Sequence, residues 1–108
     1  MDASKNCTFT QVKTSNGEFV EATPIDDTIL INIGQMLENW TNGLLRATRH
    51  RVLQKANEAR MSLVHFLIPN KDVMVEPLEE LREEGDSGRF YGVRPSDMIK
   101  KLYDEVMN

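Results

Sequence analysis

The sequence predicts a mainly β chain with a short inserted helix and a C-terminal α-helix. Asn16-Gly17 sits between the short apolar and β-branched runs FTQVK and EFVEA, the pattern of a β-hairpin. In TILINI, Ile29, Ile31 and Ile33 recur at period two, as on a strand with one buried face. Near the end, Met98, Ile99, Leu102, Tyr103 and Val106 recur at helical spacing after Pro95-Ser96-Asp97.

With 108 residues the chain has the size of one small domain with one hydrophobic core. Hydrophobic residues make up 40% and charged residues 28%, with a mean hydropathy of -0.44, a balance that argues against a membrane-embedded or a disordered chain. Thirteen Lys and Arg against 17 Asp and Glu give a net charge of -4 and no global field to attract nucleic acid. Cys7 is the single cysteine, so no internal disulfide is expected. The opening MDASKNCTFT has no basic stretch followed by an apolar one, which makes a cytoplasmic setting the expectation.

Taken in order, residues 1–8 are expected to be disordered and FTQVK and EFVEA to pair about TSNG. TILINI follows Pro24 and Asp26-Asp27 and should form a strand ending at Gly34. QMLENW places Met36, Leu37 and Trp40 at helical spacing before TNG, a helix of one or two turns. HRVLQ and ARMSLVHFLI read as two further strands separated by the polar KANE, and DVMVEPL as a last short strand. EELREEGDSG, within residues 79–94, is an acidic loop. Residues 95–108 should form an amphipathic helix, with Ser96 as its N-cap, packing on the sheet exterior.

Strand parity gives the first constraint on function. In ARMSLVHF, Arg60, Ser62, Val64 and Phe66 share a face, whereas His65 points the other way and reads as structural. His50 and Val52 share a face, and a hairpin centred on KANE would bring His50 near Ser62. An imidazole would then stand beside a guanidinium fork and a hydroxyl, a seat for a carboxylate next to a candidate metal ligand. Each residue also has a plainer reading: a hydrogen-bonded histidine, an exposed arginine, a small packing serine.

TILINIGQMLENWTNGLLRATRHRV followed by ARMSLVHFLIPNKDVMVEPL resembles the C-terminal half of the double-stranded β-helix, a jelly roll, of the iron(II)- and 2-oxoglutarate-dependent dioxygenases, in the isopenicillin N synthase-like branch. The similar pieces are NIG after an apolar strand, WTNG, TRHRV, RMS and the IPN…EPL tail, spread over residues 9–78. The resemblance implies that His50 is the distal histidine of a 2-His-1-carboxylate iron site, and that Arg60 and Ser62 bind the far carboxylate of 2-oxoglutarate. It also implies consecutive strands on two facing sheets, in place of the hairpin drawn from parity.

The same resemblance places a His-x-Asp motif well upstream of the distal histidine, at or before Met1. No histidine precedes His50, and Asp2, Asp26 and Asp27 have none two residues earlier. Gln35 stands where the family usually has Asp, and His65 lies in a segment that is usually aromatic and apolar. The expectation is therefore the C-terminal part of an Fe(II)- and 2-oxoglutarate-dependent oxidoreductase acting on a small organic substrate, with an iron site incomplete in this chain. The alternative is a non-enzymatic jelly-roll module for binding or dimerisation, self-associating through exposed sheet edges. Neither reading calls for nucleic acid or membrane.

Overall fold

The computed structural model describes residues 9–53, 61–84 and 90–107. The expectation for residues 1–8, and Cys7 with it, lies outside the described residues. Contacts divide the chain into two compact units, one of Met1–Asn32 with Thr48–Val64, the other of Ile33–Ala47 with His65–Asn108.

The first unit is built on the expected hairpin. Strands β1 (Phe9–Lys13) and β2 (Phe19–Ala22) run antiparallel, with Lys13 opposite Phe19 and Thr10 opposite Ala22. The Gly17 N–H donates to the Thr14 carbonyl at 3.0 Å and the Thr14 N–H to the Glu18 carbonyl at 2.7 Å. Gly17 holds φ at +89° while Asn16 keeps a negative φ, so the turn is a longer loop with glycine in the left-handed position and not a two-residue Asn-Gly turn. The Thr14 hydroxyl, bonded to the Asn16 side chain and the Glu18 carbonyl, braces the loop.

Strand β3 (His50–Leu53) pairs antiparallel with the other edge of β1, giving a three-stranded sheet in the order β2-β1-β3. Alternation and register put Thr10, Val12, Val20, Ala22, His50 and Val52 on one face, here the front. The back face carries Gln11, Lys13, Phe19, Glu21, Arg51 and Leu53, and the Arg51 side chain lies over part of it. The Arg51 guanidinium lies 3.9 Å from the Phe19 ring centroid while its Nε donates to Gln11 Oε1 at 2.9 Å.

Two expected strands are not strands. Residues 28–33 and 61–70 join no ladder, and Ile29 and Leu63 are 88% and 99% exposed. Period two says which side chains share a face; a strand also needs a neighbouring backbone to receive its N–H and C=O groups, and the described residues offer none here. β3 pairs with β1, and residues 61–66 join no ladder, so among the described residues the hairpin expected between HRVL and ARMSLVHF is not formed.

Asn39, Val75, Pro77 and Pro95, buried among the described residues, belong to the second unit. Helix α1 (Gln35–Trp40) forms as expected from QMLENW, with the Gly34 carbonyl accepting from Glu38 N–H at 3.1 Å. TNG ends it: Asn42 adopts φ +52°, its N–H donates to the Asn39 carbonyl, and the Gly43 N–H donates to the Glu38 carbonyl at 2.8 Å. That is a Schellman termination with asparagine at the left-handed position. Asn39, buried, donates both amide hydrogens to backbone, at 3.0 Å to the Val75 carbonyl and 2.8 Å to the Tyr91 carbonyl. The expected strand at DVMVEPL shrinks to a single antiparallel bridge, Val75 with Val93, because only one residue on each side finds a partner. Val75, Pro77 and Pro95 are buried around it.

The acidic segment forms a short 3-10 turn at Glu79–Leu81, while residues 85–89 lie outside the described set. Helix α2 spans Pro95–Met107. Proline, lacking an N–H, takes the first helical position, and the Arg94 carbonyl accepts from Met98 N–H, so Ser96 is inside the helix and is not its cap. Ile99, Leu102, Tyr103 and Val106 are exposed.

Candidate functional site

His50 opens β3 at the rim of the front face. It is in one cross-strand row with Val12 and Val20, and the next row is Val52, Thr10 and Ala22. An imidazole at the end of an apolar row is a functional signal only if its nitrogens are committed in a useful way, and here they are distinct. Nδ1 lies 3.3 Å from Asn32 Nδ2 and 3.3 Å from the Thr48 carbonyl oxygen. Those two contacts exclude one another: the Asn32 amide can donate only to a bare Nδ1, whereas the carbonyl can accept only from a protonated Nδ1. In the second case Nε2 keeps its lone pair and is the nitrogen free to ligate. Among the described residues Nε2 has no partner.

Asn32 is the residue that sequence reasoning missed. The signal was present in TILINI, where a lone amide interrupts the apolar run on the face opposite Ile29, Ile31 and Ile33. Arg60 lies outside the described residues. Ser62 is exposed and outside any ladder. His65, expected to be structural, is exposed and so is not held in a packed core. The structure therefore brings His50 together with Asn32 and Thr48.

A single imidazole fits one arm of a metal centre and not the whole of one. No group of three His, Cys, Asp or Glu side chains able to hold a metal occurs among the described residues. In the second unit an open groove of about 480 Å³ is lined by Thr41, Asn42, Gly43, Glu80, Arg82 and Phe90 among others. Asn42 Nδ2 donates there to the Leu81 carbonyl and Arg82 Nε to the Pro77 carbonyl, so its amide and guanidinium hold the backbone together. Among the described residues no helix is long and apolar enough to cross a membrane.

A family model described as the 2OG-Fe(II) oxygenase superfamily matches residues 3–69. The chain is 41% identical to homoarginine-6-hydroxylase 2-ODD-233 of Oryza sativa subsp. japonica, over 68% of this chain and 22% of that protein. It is 42% identical to homoarginine-6-hydroxylase 2-ODD-C23 of Glycine max, over 75% of this chain and 24% of that protein. Among solved structures it is similar to a full-length Neurospora crassa protein crystallised in complex with alpha-KG, with a TM-score of 0.71 and 26% identity over 92% of this chain and 32% of that one. The chain thus spans about a quarter of the length of these curated relatives. Fe(II) and 2-oxoglutarate are the metal and cosubstrate for which that family is described, and the chain belongs to the 2OG-Fe(II) oxygenase superfamily.

Proposed function

We propose that this chain carries one side of an iron(II)- and 2-oxoglutarate-binding site: His50 ligates Fe(II) through Nε2, and Arg60 and Ser62 bind the far carboxylate of 2-oxoglutarate. The carrying observation is His50 itself, on an exposed apolar face with Nδ1 committed to local partners and Nε2 without one among the described residues. A bidentate guanidinium with a hydroxyl two residues on suits a carboxylate, which supports the pairing of Arg60 with Ser62. The β-helix part is residues 9–78 and the reaction class is oxidation of a small organic substrate in the cytoplasm. The described residues do not fit a complete iron centre, so the isolated chain is a catalytically incomplete piece of the site.

The test is an anaerobic titration of the 108-residue chain with Fe(II) and 2-oxoglutarate. The expected result is no visible charge-transfer band and no succinate on admitting oxygen. A band that disappears in Arg60→Ala would mean a complete site and would overturn the incompleteness. A second reading, a non-enzymatic jelly-roll module that self-associates, is favoured by the exposure of Val52 (59%) and Ile31 (82%). Iron-independent dimerisation that rises with concentration is its signature.

A further inference from the structure

We propose that Lys13, Arg49 and Arg51, on the back of the three-stranded sheet, form a binding site for the phosphate group of a small molecule. The site lies on the face opposite His50 and is independent of the iron and 2-oxoglutarate reading.

The first argument is an uncompensated repulsion. The ladder between β1 and β3 runs one residue beyond the start of β3, with the Lys13 N–H donating to the Arg49 carbonyl at 2.8 Å. Register therefore sets Lys13 opposite Arg49, and alternation puts both on the back with Arg51. Like charges directly opposite one another on neighbouring strands destabilise a sheet. Among the described residues no carboxylate lies within ion-pair distance of Lys13, Arg49 or Arg51 to relieve it. Glu21, opposite Gln11 on the same face, has a partner of its own. Lys13, Arg49 and Arg51 are all exposed, so an anion from solvent can reach them.

The second argument is geometric. The Arg51 guanidinium lies 3.9 Å from the Phe19 ring centroid, and Lys13 Nζ lies 6.0 Å from the same centroid. Arg51 Nε is committed to Gln11 Oε1 at 2.9 Å, which fixes the fork and leaves its Nη groups without an acceptor among the described residues. A fork braced by a ring and an amide, with an ammonium converging on that ring, is preorganised for a multivalent oxyanion. Leu53 stands opposite Phe9 at the far end of β3, outside this cluster. A lone carboxylate would bring one charge to three cations, whereas a phosphate group brings nearly two and three acceptor oxygens. The net charge of -4 gives no broad positive field, so the cluster suits one phosphate group and not a nucleic-acid backbone.

The test titrates the metal-free 108-residue chain with inorganic pyrophosphate at fixed pH and ionic strength, followed by calorimetry and amide 15N spectra. Saturable one-to-one binding is expected, with shifts confined to β1, Phe19 and residues 49–51. With pyrophosphate at ten times its Kd, amide exchange in β1 and β3 should slow about tenfold. Arg49→Gln and Arg51→Gln should each weaken binding about tenfold, and Lys100→Gln on α2 should leave it within about twofold. Exchange of the hairpin amides in each variant alone shows whether it still folds, and the wild-type shift map needs no variant.

Shifts no larger than those from sodium chloride at the same ionic strength overturn the proposal, as does an affinity that neither arginine substitution lowers. Succinate bound as tightly as pyrophosphate makes the cluster a carboxylate site, and a DNA oligomer bound more tightly makes it a polyanion surface. Either result overturns the assignment to a small phosphorylated molecule.

Discussion

Asn39 is the most committed polar side chain among the described residues. Its amide gives both hydrogens to carbonyls, of Val75 and of Tyr91, from a site only 6% exposed. Val75 also receives the Val93 N–H, so Asn39→Ala strands chiefly the Tyr91 carbonyl. The expected loss is about 1–3 kcal/mol in urea unfolding. Asn39→Asp should be worse at neutral pH, because a buried carboxylate would face two carbonyls with no hydrogen to offer. Its folded-state pKa is then raised above the unfolded one, so stability is fully present below the unfolded pKa and is lost as pH rises through the folded one. The urea midpoint of this variant should therefore fall between about pH 3 and about pH 7. At His50 the prediction concerns which nitrogen carries the proton. Asn32→Ala removes the donor to Nδ1 and leaves the Thr48 carbonyl, which favours the Nδ1–H form. Ring 15N shifts check it. His50 could be picked from the sequence by parity and by resemblance. Asn32 stands out only as a lone amide in an apolar run, and its pairing with His50 is not legible, because that contact depends on a bend of the chain between residues 32 and 50 that no local period encodes.

At the scale of elements, what could be read from the sequence was what local chemistry decides. Asn16-Gly17 gave a hairpin, since glycine alone enters the left-handed position freely. QMLENW followed by TNG gave a helix and its stop, and the stop is now a Schellman motif at Asn42 and Gly43. Gly43 has two reasons to be glycine: φ is +81°, and an added Cβ would stand 2.8 Å from a carbon of the Phe90 ring. Gly43→Ala should cost roughly 2–4 kcal/mol in thermal or urea unfolding, combining a left-handed alanine with an overpacked contact. Gly34 is the contrast, extended at the helix start with open space around it and no side-chain cap. Gly34→Ser should stabilise by about 0.3 kcal/mol in urea unfolding by giving the first turn an acceptor. The strands expected at TILINI and ARMSLVHFLI, the latter described over residues 61–68, failed for a non-local reason. Isoleucine at every second position reports an apolar face, but the backbone partner that makes a strand comes from elsewhere in a fold.

At the scale of the whole molecule, family and fold class agree with the order of short motifs along the chain, while completeness of the site depends on residues the motifs do not include. The isolated chain should give no succinate above background with Fe(II), 2-oxoglutarate and oxygen, measured against a full-length relative. The exposed apolar residues carry a further, chemical consequence. Met61 is 97% exposed, whereas Met36 and Met98 are half-buried, so dilute peroxide should convert the thioether of Met61 to the sulfoxide first. Its rate of oxidation, read by mass spectrometry of the tryptic peptides, is a clock for how long that stretch of chain spends bare to solvent.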